Sequence, residues 1–195
     1  SEVYGESITY PQDEISTPLN SRLPYAVVKN IGEAFCTSYQ QEYGLDYTLF
    51  RFFNTYGPKQ STDFVVSKFL KAALANEDLT IHGDGLQSRT FCYVDDNIAA
   101  VLQTFNNQQY INTVVNIGND IETNILQLAQ TIIKVTHSQS KIVHLPALKE
   151  GDMKRRLPNL DRMRTLIERP LVTLEEGIKK SVSYTHLRAH ETSNH

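Results

Sequence analysis

Residues 24–53, PYAVVKNIGEAFCTSYQQEYGLDYTLFRFF, change hydrophobic period partway along. Pro24 stands where a first-turn proline belongs, because its fixed φ suits a helix and its missing N–H leaves nothing unpaired. Val28, Ile31, Ala34, Phe35 and Tyr39 recur at spacings of three and four. That spacing predicts an amphipathic helix over 25–43, which Gly44 ends. Asp46 to Phe53 is β-branched and aromatic without alternation, and predicts a strand buried on both faces, as in a parallel sheet. A helix that feeds such a strand is the repeating unit of an α/β fold.

The flanking sequence extends the pattern. Gly5 to Leu23 is polar and turn-rich, with Pro11 and Pro18. Asn54 to Pro58 reads as a turn, and Asp63 to Ala75 returns to helical period. Leu79–His82 and Arg89–Val94 read as strands on either side of Gly83-Asp84-Gly85, where Asp84 is a turn residue rather than an acid. A helix over 95–105 follows, with Asp95 or Asp96 as its N-cap. Thr113–Ile117 is a strand, Thr123 caps a helix through Val135, and Lys141–Leu145 is another strand. Short helices over 161–167 and 174–183 close the series. Alternating strands and helices imply an α/β protein with crossover connections.

Composition excludes several classes. The 195 residues are 40% hydrophobic and 9% aromatic with a net charge of -3, which is ordinary for a globular chain. There is no basic stripe, so nucleic acid is not an expected partner. No apolar run reaches the length of a membrane span. Cys36 and Cys92 are far apart and in no metal-type spacing, which fits a reduced cytoplasmic setting. His82, His137 and His144 show no metal-pair spacing, so no metal is expected.

The first motif with chemistry is Tyr25-Ala-Val-Val-Lys29. Positions i and i+4 lie one helical turn apart on one face. A positive Lys charge there would favour the negatively charged phenolate. Such a Tyr can take a hydroxyl proton while a hydride leaves the same carbon. A solvated helix face accounts for the same two residues.

Further motifs share its register: Ser1-Glu-Val-Tyr-Gly5, Arg51-Phe-Phe-Asn-Thr-Tyr-Gly-Pro58, Ile81-His-Gly-Asp-Gly-Leu-Gln-Ser-Arg89-Thr-Phe-Cys-Tyr-Val-Asp-Asp96, Val115-Asn-Ile-Gly118, Asp152-Met-Lys-Arg-Arg156 and Leu174-Glu-Glu-Gly177. In this order and spacing, over residues 1–180, the chain resembles the extended short-chain dehydrogenase/reductases, the epimerase/dehydratase family acting on nucleotide sugars with NAD. The resemblance implies that Tyr25 is the catalytic base and that Lys29 binds the nicotinamide ribose and tunes Tyr25. It places a Ser or Thr near the sugar C4 hydroxyl one residue before Ser1, so Ser1 is the next position along. It gives Glu2 a part in chemistry beyond C4 oxidation, and the Ser-Glu pair looks most like UDP-glucuronate decarboxylases. UDP-glucose 4-epimerases and sugar dehydratases are the alternatives.

On the substrate side the resemblance assigns Asn54, Arg89 and Arg156 to the nucleotide diphosphate, with Gln87 nearby and His82 toward the base. Charge-assisted guanidinium forks suit phosphate oxygens. Blander roles exist. Glu2 could be a surface carboxylate, Asn54 could cap its turn, Arg89 could pair with Asp95 or Asp96, and Arg156 could be a solvated charge. By the same resemblance the YxxxK helix packs into a homodimer interface. Phe35, Tyr39 and Tyr43 could serve that interface or the core.

The nine glycines build no G-x-G-x-x-G loop, which a dinucleotide pyrophosphate needs at a helix N-terminus. The expectation is therefore the C-terminal part of a Rossmann-like parallel sheet with a smaller α/β substrate lobe, from a longer protein and inactive alone. Residues 1–56 are the remainder of the NAD-binding domain. Residues 57–180 are mainly the nucleotide-sugar lobe, with a returning Rossmann strand and helix. Residues 181–195 look like translated adapter sequence, a tail foreign to the fold. A non-catalytic nucleotide-sugar-binding fragment is the reading from another class.

Overall fold

The computed structural model describes residues 1–147 and 155–192, the last eight as backbone only. After a single 3-10 turn, Glu2–Tyr4, helix α1 (Pro24–Tyr43) leads into β1 (Thr48–Phe52). Pro24 opens α1. Gly44 closes it in the left-handed conformation, φ 68°, its N–H bonded to Gln40 O at 2.9 Å. Then come β2 (Thr55–Tyr56), α2 (Val65–Leu74), β3 (Leu79–His82), β4 (Ser88–Thr90), β5 (Cys92–Tyr93) and α3 (Val94–Asn106). The chain continues through β6 (Thr113–Ile117), β7 (Glu122–Asn124), α4 (Ile125–Thr136), β8 (Ile142–Leu145), α5 (Asp161–Leu166) and α6 (Leu174–Thr192).

The strands pair in twos. β1 lies parallel to β6, from Thr48 opposite Thr113 to Phe52 opposite Ile117. β2 is parallel to β5 and β3 to β8, whereas β4 and β7 are antiparallel. Parallel partners so far apart in sequence require the crossover helices that the α/β pattern predicts. The apolar residues form two main cores. Cys92, Ala100, Val115, Ile117, Met163 and Leu166 fill one, around β6, α3 and α5. Phe69, Leu79, Ile81, Leu128, Ile132 and Ile178 fill the other, around α2, β3, α4 and α6. β5 stands between them. Alternate strand residues point to opposite faces, so Cys92 enters the first core while Phe91 and Tyr93 enter the second.

Several local expectations are corrected. The turn after Asn54 contains β2, and the strand expected over 89–94 is broken at Phe91 into β4 and β5, which pair with different partners. Neither Asp95 nor Asp96 caps α3. Asp96 is fully buried and accepts from Val172 N at 2.8 Å with Arg169 beside it at 2.7 Å, and Asp95 faces Lys180. These carboxylates hold the approach to α6 instead. Asn124, not Thr123, caps α4, in a capping box with Gln127. The expected turn at Asp84 is present, its carboxylate accepting from Leu86 N at 3.0 Å.

The helix expected over 25–43 is present as α1, and the choice left open for its apolar stripe can be narrowed. Ala26 is its one buried residue, whereas Val28, Ile31, Phe35, Tyr39 and Tyr43 are half or more exposed. The stripe is not core of this chain.

Helix α6 runs through position 181 without a break. Ser181 is buried, its Oγ donating to Gly177 O at 2.8 Å, and Val182 packs on the second core. The side chains after Tyr184, and residues 193–195 entirely, lie outside the described residues, as do residues 152–154 of the 152–156 motif. Gly177 lies against the hydroxyl end of Tyr56: a Cβ there would overlap Tyr56 Oη and stand 2.7 Å from Tyr56 Cζ and 2.8 Å from Tyr93 Cδ2. Gly177→Ala should therefore cost about 1–3 kcal/mol by overpacking, more than it gains in helix propensity, measured by urea unfolding.

Candidate active site

A cleft of about 790 Å³ opens where the first turn, the start of α1, the end of β1 and the β2–α2 loop meet. Ser1, Glu2, Tyr25, Asn54 and Arg156 all line it, with Phe52, Tyr56 and Phe91 among its apolar walls. Glu2 and Arg156, 154 positions apart, form an ion pair at 3.3 Å. The Nε of Arg156 is buried and has no hydrogen-bond partner among the described residues, so this guanidinium holds a spare donor.

Tyr25 sits in the first turn of α1 and is 62% exposed. Lys29 follows one turn on, its Nζ 5.4 Å from the centre of the Tyr25 ring. Neither polar tip makes a hydrogen bond among the described residues. Asn54 takes a left-handed φ of 32°. Its side-chain nitrogen donates to Thr90 O at 3.0 Å, and its carbonyl accepts from Cys92 N at 3.2 Å. The amide thus spans the gap between β1 and β4 as well as bordering the cleft.

The other anticipated residues lie apart from this lining. His82, at the end of β3, has Nδ1 3.2 Å from Pro146 O. Gln87 precedes β4. Arg89 is buried within β4, with Nη1 donating to Ser88 O at 2.7 Å.

Behind the cleft is a polar cluster of Arg51, Tyr4, Asn116 and Glu33; the first three stand in the quoted motifs, but none has an assigned role there. Arg51, on β1, donates from Nε and Nη2 to both oxygens of Glu33 on α1, at 2.9 and 2.6 Å. Its Nη1 donates to Tyr4 Oη at 2.8 Å, and Tyr4 Oη donates to Asn116 Oδ1 on β6 at 2.7 Å. Burial pushes the Tyr4 phenol above its ordinary value, against the nearby Arg51 charge, so it stays a donor. Burial acts to discharge Arg51, but the bonds from Glu33 and the Tyr4 oxygen outweigh it and hold the guanidinium above its ordinary value. A lone arginine inside the apolar run Thr48–Phe53 was the available signal, because a buried charge requires a partner.

Parallel strands, crossover helices and a cleft at their ends define an α/β protein of the Rossmann type, with a Tyr-Lys pair at the mouth. Residues 1–118 match the family described as NAD dependent epimerase/dehydratase, and the chain belongs to that family. It is 36% identical over 191 residues to UDP-glucuronic acid decarboxylase 1 of Danio rerio, covering 94% of this chain and 45% of that protein. It is 34% identical over 198 residues to a UDP-N-acetyl-alpha-D-glucosaminuronate decarboxylase of Bacillus cytotoxicus, covering 94% of this chain and 61% of that one. Among solved structures it resembles UDP-glucose 4-epimerase of Thermotoga maritima with UDP-glucose, at TM-score 0.87 and 30% identity, over 95% of this chain and 60% of the other. The chain therefore spans roughly half the length of the curated relatives it matches. Among the described residues no helix is long and apolar enough to cross a membrane.

Proposed function

We propose that the protein carrying this chain modifies nucleotide sugars with NAD, and that its substrate is a UDP-sugar with a C6 carboxylate, such as UDP-glucuronate. The observation that carries this reading is the convergence of Glu2, Tyr25 and Arg156 on one cleft. The exposed, uncommitted tips of Tyr25 and Lys29 fit the nicotinamide-ribose end of the cofactor. No glycine-rich loop among these 195 residues fits its pyrophosphate. NAD, when bound, supplies oxidation and later reduction at the sugar C4.

Tyr25 takes the C4 hydroxyl proton as the alcohol becomes a ketone, and Lys29 stabilises the phenolate. With a carboxylate at C6 the product is a β-keto acid. Its C5–C6 bond breaks, carbon dioxide leaves, and the electron pair passes into the enolate of the C4 ketone. Protonation at C5 restores the ketone, and Tyr25 returns its proton to C4 oxygen on reduction. Glu2, which pairs with Arg156, assists the carboxylate step in this reading. Arg156 and Arg89 bind the diphosphate, with Asn54 and Gln87 beside them and His82 toward the base.

The likeness to the decarboxylases of Danio rerio and Bacillus cytotoxicus supports this choice. The epimerase reading is favoured instead by the likeness to the Thermotoga maritima structure. The test is product analysis of the longest polypeptide that carries this chain, supplied with NAD and either UDP-glucuronate or UDP-glucose. Carbon dioxide and UDP-xylose support decarboxylation, whereas UDP-galactose supports epimerisation. Saturable UDP binding with no turnover would leave a non-catalytic binding fragment.

The exposed stripe on α1 suits a homodimer, since apolar surface of this extent on one helix favours burial against another copy. Phe35→Asp should convert a dimer to a monomer in analytical ultracentrifugation, and an unchanged sedimentation coefficient would sink this assignment. Two free cysteines, Cys36 and Cys92, accord with a reducing cytoplasmic compartment.

A further inference from the structure

We propose that Arg51, acting with Glu33 and Tyr4, is a positioning residue that fixes the Glu2 carboxylate relative to the Tyr25 phenol. The inference rests on the nucleotide-sugar reading of the cleft, because it concerns two groups that must address one sugar.

Three of the elements that border the cleft meet at one guanidinium. The first turn bears Ser1 and Glu2 at the cleft and, two residues on, Tyr4, which is fully buried beneath it. Helix α1 bears Tyr25 at the cleft and Glu33 two turns further along. Strand β1 bears Arg51 beside Phe52, which also borders the cleft. Arg51 binds Glu33 through a two-pronged fork and Tyr4 through the remaining nitrogen, while its Cζ stands 4.9 Å from the centre of the Tyr4 ring. Tyr4 in turn donates to Asn116, whose backbone N–H and side-chain nitrogen bind Glu14 Oε1 and Gln12 O at 2.8 and 3.0 Å. The segment before α1 is thereby sewn to β6.

A planar fork has one geometry, whereas an ammonium on a flexible stem has many. The fork therefore sets the turn and the helix at one mutual distance instead of merely neutralising a charge. Neither Arg51 nor Glu33 lines the cleft, so neither is expected to touch substrate. Their effect reaches the reaction through Glu2 and Tyr25.

The experiment compares Arg51→Lys, Glu33→Gln and Tyr4→Phe with the unchanged protein, and uses Lys134→Ala, which breaks an exposed ion pair with Glu175, as a control. Turnover of the nucleotide sugar is measured well below the unfolding temperature. Displacing two reacting groups should lower kcat about 10- to 100-fold. KM should stay within about twofold, since the lost interaction is not one with bound substrate. Amide hydrogen exchange supplies an arm independent of activity. Residues 2–6 should exchange about tenfold faster in Arg51→Lys, with α2 and α4 unchanged.

Wild-type kcat in all three variants would overturn the proposal, as would equal acceleration of exchange in α2 and α4, which would mark a purely structural role. An equal loss of kcat in Lys134→Ala would also overturn it. If the unchanged protein turns over no nucleotide sugar, the functional reading fails, and exchange at residues 2–6 alone then decides whether Arg51 ties the turn to α1.

Discussion

Tyr25→Phe is expected to lower kcat by about 10²- to 10⁴-fold, the usual contribution of a positioned proton acceptor, while leaving the protein as stable as before. The two halves of that statement have separate physical grounds. The ring is 62% exposed and its hydroxyl makes no hydrogen bond among the described residues, so removing one oxygen unpairs nothing and opens no cavity. Surface changes of that kind fall within about 0.5 kcal/mol of neutral. Tyr25 nevertheless borders the same cleft as Glu2 and Arg156, with the Lys29 ammonium one turn away. Phe keeps the ring and discards only the group that can carry the proton. Turnover and thermal unfolding should be measured on one preparation. An active Tyr25→Phe would refute the assignment of the base. A variant that is both inactive and unstable would show that the phenol holds the fold, contrary to its exposure.

The place of Tyr25 in the first turn of α1 was legible in the sequence because its signal is local. Periodicity over a single helix puts Tyr25 and Lys29 on one face, and the bounds of β3 and β6 follow equally from their own residues. What sequence could not convey depends on distant partners. Tyr4 and Asn116 meet across 112 positions, and Glu2 and Arg156 across 154. The strand expected over 89–94, Arg-Thr-Phe-Cys-Tyr-Val, contains no Gly, Pro or Asn to mark a break, and only the separate partners of β4 and β5 divide it. For α1 the period was right and its partner was not supplied: amphipathicity says that a face is apolar, not that anything described covers it. Asp96 misled for the same reason. A carboxylate at the start of a helix usually caps it, but a backbone N–H at Val172 and the guanidinium of Arg169 make a stronger claim on this one.

The second large effect is on stability and belongs to the Arg51–Glu33 pair. Glu33→Ala should cost about 3–5 kcal/mol, since it strands a buried charge rather than removing a favourable bond of ordinary size. The Arg51 side chain is 6% exposed and Glu33 17%. After truncation the guanidinium keeps Tyr4 Oη and a long contact of 3.4 Å with Glu14 O, while Nε and Nη2 lose their acceptor in a place water scarcely reaches. Arg51→Met should be milder than Glu33→Ala. It exchanges a charge for an apolar chain of similar length, and the more exposed Glu33 carboxylate can hydrate. It also leaves Tyr4 without a donor, yet Tyr4 still donates to Asn116. The double variant Arg51→Met, Glu33→Leu should recover most of the loss, because apolar packing of equal volume often equals a buried ion pair in stability. At roughly 2–4 °C per kcal/mol for a chain of this size, Glu33→Ala should melt about 6–20 °C lower. A complete double-mutant cycle by urea unfolding gives the coupling directly. Equal costs for the two single variants would contradict the argument, since they would imply that neither partner is left as an unpaired buried charge. Because Tyr25→Phe spares stability and Glu33→Ala and Arg51→Met do not, comparing them separates what the cleft does to substrate from what holds the cleft in shape.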